Sequence, residues 1–324
     1  MDGLIHQNVY AKKLRPLLPK QAFNPDPNKL ILLFINLLIL ILGWGMGSQL
    51  GHWPKKWLWL YLPFMIIMAN SVTFLAFVSH DLMHGSVIRN YKIAQKIALV
   101  GLAAVWMPPT LWKIIYNQIH HNKTNSLEDP DRNYYYQQPN TLGKRIQNLL
   151  VPSSETTFVL LAVGMMMQWS IYAFRNVLFV LVGNVNIQQY APVTFTVTHQ
   201  ERWAIAQELI FIAGAHLGVL AWLAFDPLQL MLAYFLPVAL GHAGMMFYIY
   251  TNYLFSPQTK VNDPLINGIS LKVPRLFDVL HINFSHHAEH HILPGLNSDY
   301  YPLVRDLLGK LYPDKIGFVL SAAL

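Results

Sequence analysis

The sequence contains no cysteine, which excludes disulfides, thiolate zinc sites, iron–sulfur clusters and cysteine nucleophiles together. It is also poor in charge. Asp, Glu, Lys and Arg make up 12% of its 324 residues, about half the share usual in soluble domains. The glycines never fall into a G-x-G-x-x-G pattern between a strand and a helix, so no nucleotide fingerprint is present. The net charge of +7 is spread too thinly for nucleic acid and suits an anionic membrane surface or an acidic protein partner. What is plentiful is apolar: hydrophobic residues reach 54% and mean hydropathy is +0.32. The composition is that of a membrane protein.

Residues 30–50 form an almost unbroken apolar run, long enough to cross a hydrocarbon core of about 30 Å. Turn chemistry at Gly51-His52-Trp53-Pro54 leads to a second run, 57–78. A second hairpin, 203–225 and 228–255, is broken at Asp226-Pro227. Residues 93–112 contain Gln95, Lys96 and a Pro108-Pro109 break; residues 156–182 contain Gln168 and Arg175. Both are expected to lie at the interface or against a catalytic cap. The arm 1–29 is polar and lacks the apolar core of a cleaved signal peptide. The expected fold is therefore an all-α integral membrane protein with four transmembrane helices in two hairpins. Its parts are an arm (1–29), a first hairpin (30–84), an interfacial segment (85–202), a second hairpin (203–255) and a tail (256–324). In that topology 21 of the 23 Lys and Arg residues share one side, which the positive-inside rule makes cytoplasmic. Both termini and the cap are expected there.

Fourteen histidines are many for this length, and most fall in three clusters. His80 and His84 follow the second run at a spacing that places both on one helix face. His120 and His121 follow Tyr116-Asn117-Gln118-Ile119. His287, His290 and His291 share helical spacings of three and four, with His281 and His286 just before them. A single such pair is usually surface decoration. Three clusters on one side of a membrane offer more imidazoles than one ion needs, and a set rich in imidazole and free of thiolate suits two irons. His281 reads as a further ligand or as a group that orients one. Asp81, Asp129, Asp131 and Glu289 are possible orienting carboxylates, or else solvated helix ends. Glu208, His216 and His242 lie inside apolar runs, where ionisable groups are rare; a neutral, hydrogen-bonded His216 is the expectation. Gly241 and Gly244 would permit close helix approach or equally leave room for a lipid chain.

The order and placement of the three boxes resemble the membrane fatty acid desaturase superfamily. So do their flanks: Thr124-Asn125 and Asp129-Pro130-Asp131 after the second box, and Leu293-Pro294-Gly295 after the third. The resemblance covers nearly the whole chain from residue 30. It implies a four-span, two-iron enzyme that uses oxygen and two electrons to introduce a double bond into a fatty acyl chain. Carotenoid or lipid hydroxylases and ketolases share the pattern, and a catalytically impaired lipid-binding relative would keep it. The implied electron donor is a small acidic protein, such as a ferredoxin or a b-type cytochrome.

The sequence departs from the family pattern in its second box, whose first histidine is missing. Asn117, holding a water ligand, or Tyr116, as a phenolate, is expected in that seat. Relatives often continue a Tyr-Thr-Asn segment at the end of the last span with histidine; here Tyr253 stands there. It is a third alternative ligand.

Overall fold

The computed structural model describes residues 3–126, 129, 157–182, 195–253, 256–316 and 319–320. The fold is predominantly helical. Among the described residues, five helical stretches are long and apolar enough to cross a membrane: Lys29–His52, Lys55–Met83, Phe158–Val182, His199–Trp222 and Pro227–Tyr253. Four coincide with the expected hairpins. The fifth is the segment expected at the interface.

Helix α1 (Gln7–Leu14) precedes α2 (Lys29–Gly47). The chain then turns through 3-10 segments at Leu50–His52 and Lys55–Tyr61 into α3 (Leu62–Met83). This helix outruns its apolar stretch and carries His80 on its last turn. Asn90 caps α4 (Tyr91–Ala103) by accepting from the Ile93 amide. The Pro108-Pro109 break ends the irregular link to α5 (Pro109–Trp112), because proline at the first helical position loses no intrahelical bond. A π-wound segment, Lys113–His120, continues into α6 (His121–Lys123).

The 25-residue helix α7 (Phe158–Val182) packs along α10 (Leu236–Tyr253). Its Trp169 indole donates to the Val105 carbonyl (2.8 Å), and Ser170 Oγ lies 3.1 Å from His242 Nδ1. Thr198 and Glu201 form a reciprocal capping box at the start of α8 (His199–Trp222). The expected break at Asp226-Pro227 is a helix start: Asp226 accepts from the Gln229 amide ahead of α9 (Pro227–Leu230).

Helix α10 lies against α3 so closely that a Cβ at Gly241 would stand 2.6 Å from Val72 Cβ and 2.9 Å from the Ala69 carbonyl oxygen. Thr73 Oγ1 donates to the Gly241 carbonyl across the same contact (2.9 Å). This approach brings the end of α10, with Tyr253, beside the end of α3, with His80.

The tail adds α11 (Pro264–Asn267), strand β1 (Leu271–Lys272), α12 (Arg275–Leu280), α13 (His287–Ile292) and α14 (Tyr301–Leu311). Strand β1 pairs in parallel with β2 (Val319–Leu320) over two residues. The arm is not loose. Tyr10, Leu14, Leu18 and Ala22 are buried against Ile292, Leu293, Leu296 and Val304 of the tail, so residues before the first long helix cover the histidine-bearing α13.

Candidate metal centre

Seven imidazoles from three separate parts of the chain converge. His80 lies on the last turn of α3 and His84 caps it; His120 ends the π-wound segment and His121 opens α6; His287, His290 and His291 share one side of α13. They divide into two groups. His80, His84, His121 and His290 form one, and His120, His287 and His291 the other; within each, one nitrogen per ring lies within 4.8 Å of the others.

Hydrogen bonds at the far ring nitrogen set the orientation of several imidazoles. His120 Nδ1 faces both Asp129 carboxylate oxygens (2.9 and 3.0 Å). His290 Nδ1 meets the Tyr301 hydroxyl (2.9 Å), His291 Nδ1 meets Thr124 Oγ1 (3.1 Å), and His80 Nδ1 lies 3.4 Å from Asp81 Oδ1. Asn125 holds the loop behind box two. Its amide donates to Asp129 Oδ2 (2.7 Å), and its side chain donates to the Ser256, Pro257 and Asn267 carbonyls. Its φ of 53° is one that asparagine tolerates.

Burial, reinforced by neighbouring imidazoles, holds His84, His121, His287, His290 and His291 well below the ordinary histidine pKa. They are neutral at physiological pH, the form that ligates metal. Burial, with Asp81 and Glu289 nearby, pushes the Tyr301 phenol well above its ordinary value, so it keeps its proton.

Of the residues expected as alternative ligands, Tyr253 hydrogen-bonds a histidine group, whereas the Tyr116 ring meets the His120 ring edge-on (centroids 5.3 Å). The Tyr253 hydroxyl lies 2.6 Å from His120 Nε2 and 3.0 Å from His291 Nε2, and also hydrogen-bonds His287 Nε2. Asn117 points its amide nitrogen at the Met83 carbonyl (2.8 Å). The Tyr116 ring stacks on Trp112 (centroids 4.0 Å, planes 9° apart). His281 is outside both groups, because both of its nitrogens are occupied: Nδ1 by the Tyr248 hydroxyl (2.8 Å) and Nε2 by Asn70 Oδ1 (3.1 Å). His286 is buried. Among the carboxylates, Asp81 and Asp129 face imidazoles of the two groups, whereas Glu289 meets Ser270 and Arg305. Asp131 lies outside the described residues.

The intramembrane candidates have local partners. His216 lies between the Tyr234 hydroxyl (2.7 Å) and the Ala103 carbonyl (2.8 Å), under the Trp106 ring. Glu208 accepts from Thr110 and Gln95. Tyr301, Ser298 and Lys29 contribute to the centre without a sequence motif that marks them.

A narrow cavity of about 30 Å³ opens beside the imidazoles, walled by Ala76, Phe77, Trp112, Trp169, Met245, Ile249 and Phe284. It is large enough for an atom or two of an apolar chain to reach the histidines.

The donor set fits metal ions. Four donors around one ion at about 2.0 Å stand roughly 3.3 Å apart, and His290 Nε2 and His121 Nε2 are separated by 3.3 Å. His84 Nε2 is buried with no hydrogen-bond partner among the described residues, a condition that an ion relieves. The family model for fatty acid desaturases matches residues 56–320, a stretch containing all seven imidazoles. No curated protein is similar enough to match. On the family match, supported by the long apolar helices and the two imidazole groups, the chain belongs to the fatty acid desaturase family of membrane-embedded oxidoreductases.

Proposed function

We propose that the protein is an oxygen-dependent, two-iron membrane desaturase that introduces a double bond into a fatty acyl chain. The observation that carries this reading is the division of seven imidazoles, six of them buried and His84 partly so, into two groups beside one apolar cavity. One iron would be held by His80, His84, His121 and His290, the other by His120, His287 and His291. Bound there, the pair supplies oxygen activation and the oxidising power to break an unactivated C–H bond. The rest is the chain's own work. Asp129, Thr124 and Tyr301 hold the imidazoles in one tautomer. Phe77, Trp112, Trp169 and Phe284 exclude water and set which carbons face the histidines.

Four membrane crossings support this arrangement better than five. Box two and box three lie together, so the chain between them crosses the membrane an even number of times, although three long apolar helices lie in that interval. We take Phe158–Val182, packed on α10, as the helix that does not cross. The expected parts 1–29, 30–84, 85–202, 203–255 and 256–324 then alternate between cap and bilayer. The basic excess supports a cytoplasmic cap with both termini on the same side. The electron donor would be an acidic ferredoxin or b-type cytochrome steered to that face.

A second reading, an impaired lipid-binding relative, rests on Asn117, which turns to the Met83 carbonyl and leaves the second group with three imidazoles. Acyl-chain analysis of a host expressing the protein separates the readings. A new double bond is the expected result. A hydroxyl or keto product assigns the chain to the carotenoid or lipid hydroxylases and ketolases, and unchanged lipids with full membrane insertion support impairment.

A further inference from the structure

Three ring nitrogens of the second histidine group converge on one hydroxyl oxygen. Asp129 accepts the Asn125 amide, so its carboxylate acts as an acceptor and His120 Nδ1 must carry the ring proton that faces it. In a neutral ring His120 Nε2 then offers its lone pair. Thr124 gives its hydroxyl proton to the His120 carbonyl (2.8 Å), so His291 Nδ1 must donate to Thr124 Oγ1, and in a neutral ring His291 Nε2 offers its lone pair too. Both lone pairs point at the Tyr253 hydroxyl, as does His287 Nε2. A phenol has one hydrogen to give. With neutral rings, the three nitrogens and the phenol oxygen make four donor atoms converging from three parts of the chain, an arrangement suited to holding a metal ion.

We propose that Tyr253 is a ligand of the second metal ion, through its deprotonated oxygen. This rests on the reading that the imidazole groups hold iron. Binding breaks the phenol O–H bond, forms the metal–oxygen bond and releases one proton to solvent, with no change in oxidation state. The two ions then differ: one has four imidazoles, the other three imidazoles and a phenolate. An anionic oxygen donor stabilises the ferric state, so the second ion is the harder of the two to reduce. Tyr253 is suited to this by position. It is buried at the end of α10, and the Gly241 contact with α3 fixes that helix relative to the cluster.

The test uses the full-length protein in detergent, loaded with ferrous iron and oxidised in air. Iron per chain, visible absorption and resonance Raman spectra are then recorded. The expected wild-type result is two irons per chain with a visible phenolate-to-iron band carrying tyrosinate vibrations. That band should vanish in Tyr253→Phe and persist in Tyr116→Phe. Tyr253→His should retain two irons and lose the band, and its elution as the wild-type species reports that it folds. Two irons with no tyrosinate band, or a band that survives Tyr253→Phe, overturns the proposal. So does a colourless chain with a single iron, in which the phenol fills the space of the second ion. A chain that takes up no iron overturns the metal reading as well, which distinguishes the two failures.

Discussion

Lys29 Nζ lies 3.2 Å from Asp81 Oδ2, with both side chains buried. The same ammonium donates to Ser298 Oγ (2.5 Å). One cation therefore joins the start of the first long helix, the turn that carries box one and the tail beyond box three. Asp81 also faces His80, so the lysine holds in place a carboxylate beside one of the clustered imidazoles.

Removing one partner of a buried pair strands the other charge, which costs about 3–5 kcal/mol. Lys29→Met should lower the thermal midpoint in detergent and weaken metal retention. Lys29→Met combined with Asp81→Leu should recover most of the stability but not the metal retention. A single variant as stable as wild type would show that the pair carries no such role.

The hydrogen bonds behind the imidazoles should matter nearly as much as the imidazoles themselves. Asp129→Asn and Tyr301→Phe each disturb one Nδ1 partner, of His120 and His290 respectively. Loss of such a partner typically costs 10–100-fold in metal affinity. Competition with a chelator should show that drop in both variants while the fold persists. Unchanged affinity would mean that the rings are fixed by packing alone.

The metal-free protein should lose stability as pH falls. Burial pushes His281 and His286 down to about 4, from an ordinary value of about 6.5. Between those values the unfolded chain binds protons that the folded chain refuses, so stability rises with pH and levels off above about 6.5. Each group contributes a slope of up to about 1.4 kcal/mol per pH unit inside that window. The five lowered cluster imidazoles act in the same direction. A midpoint that stays flat from pH 7 down to about 5 would contradict these environments.

Close approach of α10 to α3 should tolerate no side chain at Gly241. A Cβ there meets Val72 and the Ala69 carbonyl, as described above, and overpacking of this kind costs about 1–3 kcal/mol. Gly241→Val should therefore destabilise the fold and reduce metal content by displacing the end of α10. Gly214→Ala, where a Cβ meets nothing within 4 Å, is the control and should be neutral or stabilising. Equal behaviour of the two variants would dissociate helix contact from the metal centre.

Much of this was legible in the sequence, for local reasons. Ligand spacing of three and four survives folding because a helix imposes it, so the boxes are visible as patterns. Proline breaks at Pro108-Pro109 and Asp226-Pro227 became helix starts because proline is tolerated there. What stayed hidden depends on distant contacts. Tyr301 reaches His290 across eleven residues and Lys29 reaches Asp81 across 52, with no motif to mark either. The docked arm had a signal that composition obscured: Tyr10, Leu14 and Leu18 recur at intervals of four within an otherwise polar stretch. Asn117 fits a ligand seat by spacing, yet the π-wound segment that carries it accompanies a turn toward the Met83 carbonyl. The long apolar Phe158–Val182 cannot be assigned from hydropathy, because length and composition alone do not distinguish crossing from packing against a neighbour.

The central claim, one iron in each imidazole group, is tested most directly by counting iron per chain in the purified protein and in two single variants. The account predicts two irons in wild type. It predicts about one iron in His290→Ala and in His120→Ala, since the changes fall in different groups, and loss of activity in both. Fewer than two irons in wild type, or full iron content and activity in either variant, would contradict it.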